Sequence, residues 1–236
     1  RTVESLEFSA DSKRLISSAA DKSVRIWKLE SKEAPEKFEM GTHRVQTVRF
    51  VPGSQNFATA GTDSSVIIWN AKDGSRSREL RFHQGKVNAL SFHPQDPVLL
   101  SAGSDKQWAL WDLDSGKLLR SRRAHASQIL TTAISADGKS FATAGSDLSI
   151  ILWKYPQGEA LIKLKGHTKS VTTVAFSPDG KMLASAAQDN QILLWKLGAE
   201  ISKTPLRKLE GHGFIVNQVL FSKDGKALIS ISRDKT

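Results

Sequence analysis

Along the chain, short apolar runs alternate with tight polar turns and never settle into a helical period. Between Val171 and Trp195, the residues Val171, Val174 and Phe176 mark a first strand, and Ser177-Pro178-Asp179-Gly180 marks a turn. Proline presets φ there and glycine tolerates positive φ. Met182, Leu183 and Ala184 mark a second strand, and Gln188-Asp189-Asn190 a second turn. Ile192, Leu193 and Leu194 then lead to Trp195. A fourth segment, of the kind seen at residues 160–164, alternates apolar and polar positions as a half-exposed edge strand does. The first turn recurs as Ala10-Asp11-Ser12, Pro52-Gly53, Pro94-Gln95, Asp137-Gly138 and Asp224-Gly225. Four short strands per unit predict an all-β radial repeat.

The unit is 42 residues long, fixed by Trp27, Trp69, Trp111, Trp153 and Trp195. Six residues before each tryptophan stands Asp21, Asp63, Asp105, Asp147 or Asp189, and four before each aspartate a hydroxyl: Ser17, Thr59, Ser101, Thr143 or Ser185. Ser230 and Asp234 begin a sixth copy. Histidines precede the later copies at His43, His83, His125, His167 and His212. His93 is the exception, and in a strand-joining turn it reads as a solvated loop residue.

The aligned blocks GHTKSVTTVAFSPDGKMLASAAQDNQILLW and AHASQILTTAISADGKSFATAGSDLSIILW carry a family resemblance. The sequence resembles the WD-repeat β-propeller family over essentially its whole length. The dipeptide after the periodic tryptophan is a true Trp-Asp only at Trp111-Asp112, a position the family varies. The resemblance implies four-stranded antiparallel blades whose fourth strand comes from the start of the next repeat. Blades are therefore expected at 3–40, 45–82, 87–122, 129–164 and 171–209, with part of a sixth at 214–236. The resemblance further implies a single domain continuing past both ends, in a ring of seven blades.

Serine or threonine, histidine and aspartate together suggest a hydrolase triad, whose chemistry needs one exposed, base-activated hydroxyl. Here the set recurs in every unit and ends in a tryptophan, which is scaffold chemistry. The expected arrangement is a buried relay: aspartate accepts from histidine, the hydroxyl links histidine to tryptophan, and the indole N–H donates inward. The relay residues are His43, Thr59, Asp63 and Trp69; His83, Ser101, Asp105 and Trp111; His125, Thr143, Asp147 and Trp153; and His167, Ser185, Asp189 and Trp195. No phosphate loop, HExxH motif or calcium loop occurs, and the histidines are too widely spaced for a metal site. Neither catalytic residue nor cofactor is nominated.

By resemblance, partners dock on the face carrying the loops after the fourth strand and the tight turns before each aspartate. The inner-strand positions there are Glu4, Gln46, Asn88, Leu130, Thr172 and Asn217. The turn positions are Ala20, Thr62, Ser104, Ser146, Gln188 and Arg233. This face reads as polar and nearly uncharged at its centre, with Arg44, Lys86 and Lys169 further out. Phe214 and Ile215 are its most apolar loop residues. Trp108, outside the period, aligns with Val24, Val66, Ile150 and Ile192 and is expected to pack between blades.

Composition adds a charge to place and a compartment. The net charge is +10 in 236 residues. The segments 72–83, 117–123, 154–169 and 196–208 contribute +2, +4, +3 and +3, more than the whole excess. Their cations, Arg76, Arg78, Arg81, Arg120, Arg122, Arg123, Lys163, Lys165, Arg207 and Lys208, fall on the outermost strands. Charged edges guard a sheet against edge-to-edge pairing. The alternative is an anionic partner along this rim, whether nucleic acid, phosphoinositide or acidic protein. With no cysteine, no disulfide or thiolate site exists. No apolar run is long enough to cross a membrane as a helix, and the opening residues read as strand rather than a leader peptide. The expectation is an intracellular, cytoplasmic scaffold or sensor module, attached to further domains or to the rest of the ring and binding a protein partner. A nuclear location is compatible with the same features.

Overall fold

The computed structural model describes residues 2–41, 43–198 and 201–236. Blade 1 is built from β1 (Val3–Phe8), β2 (Arg14–Ala19), β3 (Ser23–Lys28) and β4 (Glu36–Glu39). Blade 2 follows with β5 (Val45–Phe50), β6 (Asn56–Gly61), β7 (Ser65–Asn70) and β8 (Arg76–Arg81). Blade 3 comprises β9 (Val87–Phe92), β10 (Val98–Gly103), β11 (Gln107–Asp112) and β12 (Leu118–Arg123). Blade 4 has β13 (Ile129–Ile134), β14 (Ser140–Gly145), β15 (Ser149–Lys154) and β16 (Glu159–Lys165). Blade 5 has β17 (Val171–Phe176), β18 (Met182–Ala187), β19 (Ile192–Lys196) and β20 (Arg207–Leu209), and β21 (Val216–Phe221) pairs with β22 (Leu228–Ser232) in a two-stranded sixth sheet. Every pairing is antiparallel between sequence neighbours, the up-and-down order that short turns impose.

The innermost strands β1, β5, β9, β13, β17 and β21 pack on one another in series, and the run does not close on itself. The core is accordingly a set of seams between neighbouring sheets. Ile16, Val24 and Ile26 of blade 1 meet Val48, Phe57 and Trp69 of blade 2. Leu152 and Leu164 of blade 4 meet Leu183, Leu193 and Trp195 of blade 5. Each aliphatic side chain buried in a seam is worth about 1.5–3 kcal/mol. Each periodic tryptophan packs towards the preceding blade, so Trp27 of blade 1 stays 40% exposed while the other four are buried. The outer sides of the terminal sheets also expose apolar residues: Leu6 and Phe8 at one end, Ile229 and Ile231 at the other.

Trp108 is fully buried at the seam between blades 3 and 4. It packs edge-on against Phe141 and Trp153, at centroid separations of 5.1 and 5.4 Å. His93 departs from the loop reading, because it is buried at the same seam. Its ring stacks on Tyr155 at 4.3 Å, its Nε2 lies 3.0 Å from the Gly138 carbonyl, and its Nδ1 accepts the Asp96 N–H at 2.8 Å. Tyr155 lies 62 residues further along the chain and donates to the Asp96 carboxylate at 2.7 Å. A turn residue has become a clasp between blades.

Candidate functional site: the loop face and its buried relays

Three complete relays underlie the face that carries the β2–β3-type turns. In blade 3, the His83 ring places Nδ1 2.8 Å from Asp105 and Nε2 2.8 Å from Ser101, and Trp111 Nε1–H donates to Ser101 at 2.9 Å. Blade 4 repeats this with His125, Asp147, Thr143 and Trp153, and blade 5 with His167, Asp189, Ser185 and Trp195. One proton arrangement satisfies every member. Indole N–H donates to hydroxyl oxygen, hydroxyl O–H to Nε2, and Nδ1–H to carboxylate, with the imidazole neutral.

Burial pushes His167 down from the ordinary imidazole range, against the pull of Asp189. For Asp189 and Asp147, burial alone would raise the carboxyl. Backbone N–H groups and the histidine reverse this and hold both below the usual carboxylate range. Asp189 accepts the Thr168 N–H and Asp147 the Ala126 N–H, so each carboxylate also anchors the loop beside it. The hydroxyls of Ser101, Thr143 and Ser185 belong to fully buried residues and are occupied on both sides. Their geometry is that of a strut, with no access for a substrate.

Blade 2 departs from the expected relay. His43 is exposed, and its ring makes no hydrogen bond among the described residues. In the other blades histidine precedes aspartate by 22 residues, whereas His43 precedes Asp63 by 20, and the equivalent position is Gly41 at φ 79°. Trp69 still donates to Thr59 at 2.7 Å, and Asp63 takes the Ser65 hydroxyl at 2.8 Å instead. In blade 1, Asp21 accepts from Ser23 and Arg25. The two-residue deficit in His–Asp spacing was visible in the sequence.

The inner-strand positions share a feature the sequence did not announce. Every innermost strand carries a register shift at its second residue, placing Glu4, Gln46, Asn88, Leu130, Thr172 and Asn217 in β-bulges. A bulge re-aims the side chain out of the ladder. Three of these side chains are spent on docking blades together: Asn88 Nδ2 donates to the Ile129 carbonyl at 2.7 Å, Thr172 Oγ1 donates to the Val216 carbonyl at 2.5 Å, and Glu4 takes a cation of the next blade. Charge also reaches further inward than the sequence suggested. Arg44 pairs with the mostly buried Glu4 of the preceding blade. Burial, together with Arg44, pushes the Lys86 ammonium below its ordinary range, Glu4 opposing. Ser104 bridges Asn88 to Gln128 at 3.4 Å on either side, and Thr62 accepts the Arg44 N–H. Ser146 and Gln188 are half-buried and Arg233 is exposed. Phe214 is 63% exposed, on a loop held by Asn190, which donates to the Gly213 carbonyl, and by Ser232, which donates to the Phe214 carbonyl. Ile215 is half-buried beside it, its carbonyl accepting the Arg233 N–H.

A family comparison joins this periodic geometry to known proteins: the model for the WD domain, G-beta repeat (WD40) matches residues 1–28, 36–70, 74–112, 116–154, 158–196 and 203–236. The chain belongs to the WD40 family. From the second onward, the matched units start at or before the outer strand of one blade, and the full ones end with the third strand of the next. Each WD40 repeat therefore links two neighbouring blades. No curated protein matches the chain.

The rim of this WD40 array is formed by β4, β8, β12, β16 and β20. Of its expected cations, Arg81 pairs with Glu79, Lys163 with Asp147 and Lys208 with Glu210. Arg78 donates to the Asp114 carbonyl, while Arg76 and Arg122 lie over the indoles of Trp69 and Trp153 at 5.2 and 5.7 Å. A cavity of about 450 Å³ opens on the opposite face between blades 2 and 3, floored by Val51, Phe92 and Leu113. No group of acidic and histidine side chains that could hold a metal occurs among the described residues, and no helix is long and apolar enough to cross a membrane.

Proposed function

We propose that this WD40 chain is a non-catalytic interaction module that takes a protein partner on its bulged loop face. WD40 repeats are in general protein-interaction scaffolds. The observation that carries the reading is Phe214, an exposed aromatic on a loop pinned by Asn190 and Ser232. A rigidly mounted aromatic supplies contact area at little entropic cost and is the commonest kind of interface anchor. Around the face, the side chains of Gln46, Leu130 and Asn217 make no hydrogen bond to a neighbouring blade among the described residues, and the Glu4–Arg44 pair with Lys86 gives it polar definition. The relays beneath hold the loops in place, and no step of chemistry is assigned to them.

The test is affinity capture followed by lysine crosslinking. Crosslinks at Lys86 and Lys169, lost together with binding in a stable Phe214→Ala variant, are the expected outcome. Crosslinks confined to Lys163 and Lys208, with binding indifferent to Phe214, would overturn it.

A second reading, an anionic partner at the rim, is favoured by the cations that no carboxylate neutralises. Among the described residues Arg120, Arg123, Lys165 and Arg207 have no acidic partner within salt-bridge distance.

A further inference from the structure

Blade 3 breaks the rule that the other complete blades obey at their outer edge. The third strand carries a small aliphatic opposite an apolar residue of the fourth: Val24 with Phe38, Val66 with Leu80, Ile150 with Leu164, and Ile192 with Leu209. In blade 3 the same pair is Trp108 with Arg122. The indole fills the volume that the fourth-strand side chain fills elsewhere, so Arg122 lies exposed over Trp153.

Freed from the core at that position, β12 differs from every other rim strand. It holds Arg120, Arg122 and Arg123 and follows Lys117 with no acidic residue among them, and no carboxylate pairs with any of the four among the described residues. By contrast β4 contains Glu36 and Glu39, β8 contains Glu79, β16 contains Glu159, and β20 is followed by Glu210. Leu118 and Leu119 of β12 are 40% and 52% exposed. The strand also ends its sheet. Ala124 N–H donates to the Lys106 carbonyl at 3.0 Å, and that parity points the backbone groups of Ser121 and Arg123 away from β11.

We propose that β12 is a docking edge for an acidic, extended polypeptide segment, which adds to blade 3 as a fifth strand. This rests on the rim reading and narrows it to one strand. Backbone pairing supplies affinity in strand addition, while alternate side chains supply specificity. Here the cations select glutamate or aspartate and the two leucines accept an apolar neighbour. A nucleic acid is the poorer fit, since β12 offers no exposed aromatic for base stacking and no use for its free backbone groups.

The probes are a labelled peptide of alternating glutamate and leucine, its lysine–leucine counterpart and a short oligothymidylate, read by fluorescence anisotropy at low salt. The acidic peptide alone is expected to bind, and to protect the amides of Ser121 and Arg123 from hydrogen exchange. Two variants act on different terms. Arg120→Glu with Arg123→Glu reverses the charge and weakens binding about tenfold or more. Ser121→Pro keeps every charge but blocks the outward N–H on an edge that tolerates proline, and it weakens binding too. Arg207→Glu with Lys208→Glu on β20 leaves binding unchanged. Equal loss in the β20 variant, with Ser121→Pro silent, overturns the β12 assignment while leaving the rim reading standing. Absence of acidic-peptide binding, or tighter binding of the oligothymidylate, overturns the polypeptide proposal, and silence from all three probes removes the rim reading with it.

Discussion

The Thr143 hydroxyl lies 2.7 Å from His125 Nε2 and accepts the Trp153 indole N–H at 2.9 Å. Thr143→Val keeps the shape and strands both groups in a buried site, each orphan costing about 1–3 kcal/mol. In blade 2, Thr59→Val strands only the Trp69 N–H, because His43 does not reach the hydroxyl. The urea midpoint should therefore fall further for Thr143→Val than for Thr59→Val. Equal losses would show that the histidine adds nothing to the relay.

The relays also set a direction for pH dependence. Burial lowers His167 below the imidazole range that the unfolded chain presents, near 6.5. The unfolded state then takes up the proton first, so stability is fully present above about pH 6.5 and declines as pH falls below it. Protonation would also put a second donor on the Ser185 hydroxyl. Asp189, held below its usual range, adds a further loss in the acid carboxylate region. Melting temperature should drop on acidification from about pH 8 to about pH 5, and less steeply in His167→Gln. A rise in melting temperature over that interval would contradict the neutral-imidazole relay.

Gly158 and Gly180 have nearly the same positive φ, 66° and 68°, but different surroundings. A Cβ on Gly158 would come within 2.5 Å of the Trp108 ring, while one on Gly180 meets nothing within 4 Å. Gly180→Ala carries the backbone strain alone, about 1 kcal/mol. Gly158→Ala carries that strain and a clash with a fully buried indole, and should cost more by calorimetry. Matching costs would mean that the seam around Trp108 is loose enough to yield.

Leu148 follows Asp147 in its tight turn at φ 66°, exposed to solvent. Asn190 occupies the same place in blade 5 at φ 68°. Asparagine tolerates the left-handed region that a leucine enters only under strain. Leu148→Asn should stabilise the protein by up to about 1 kcal/mol, measured by chemical denaturation. No gain, or a loss, would indicate that the leucine side chain has a packing partner.

The period, the strands and the order of relay residues were legible because they are local: each depends on residue type at a fixed offset. The exceptions arise where an offset or a distant partner decides. His43 looks like its counterparts by type, yet it lies two residues too close to Asp63 to occupy their position. His93 reads as solvated because its partners Tyr155 and Gly138 come from the next blade. The bulges of Glu4, Gln46 and the others leave little mark on composition: Gly61, Gly103 and Gly145 give room for the close approach, but Ala19 and Ala187 take the same place elsewhere. The exchange of an aliphatic pair for Trp108 and Arg122 becomes readable once the β11–β12 register is known.

Each blade carries its own relay, and the relays are not equally complete. Blade 2 has its histidine out of position, whereas blades 3 to 5 hold all four members. The fold accommodates this defect, because the hydrogen bonds of each relay close within one sheet and the relay meets the preceding blade only through its tryptophan. Such modular wiring insulates mutation: a loop over blade 2 can change its length or chemistry without breaking the hydrogen-bonded supports of the others. A recognition surface mounted on this frame can be rewritten one sector at a time.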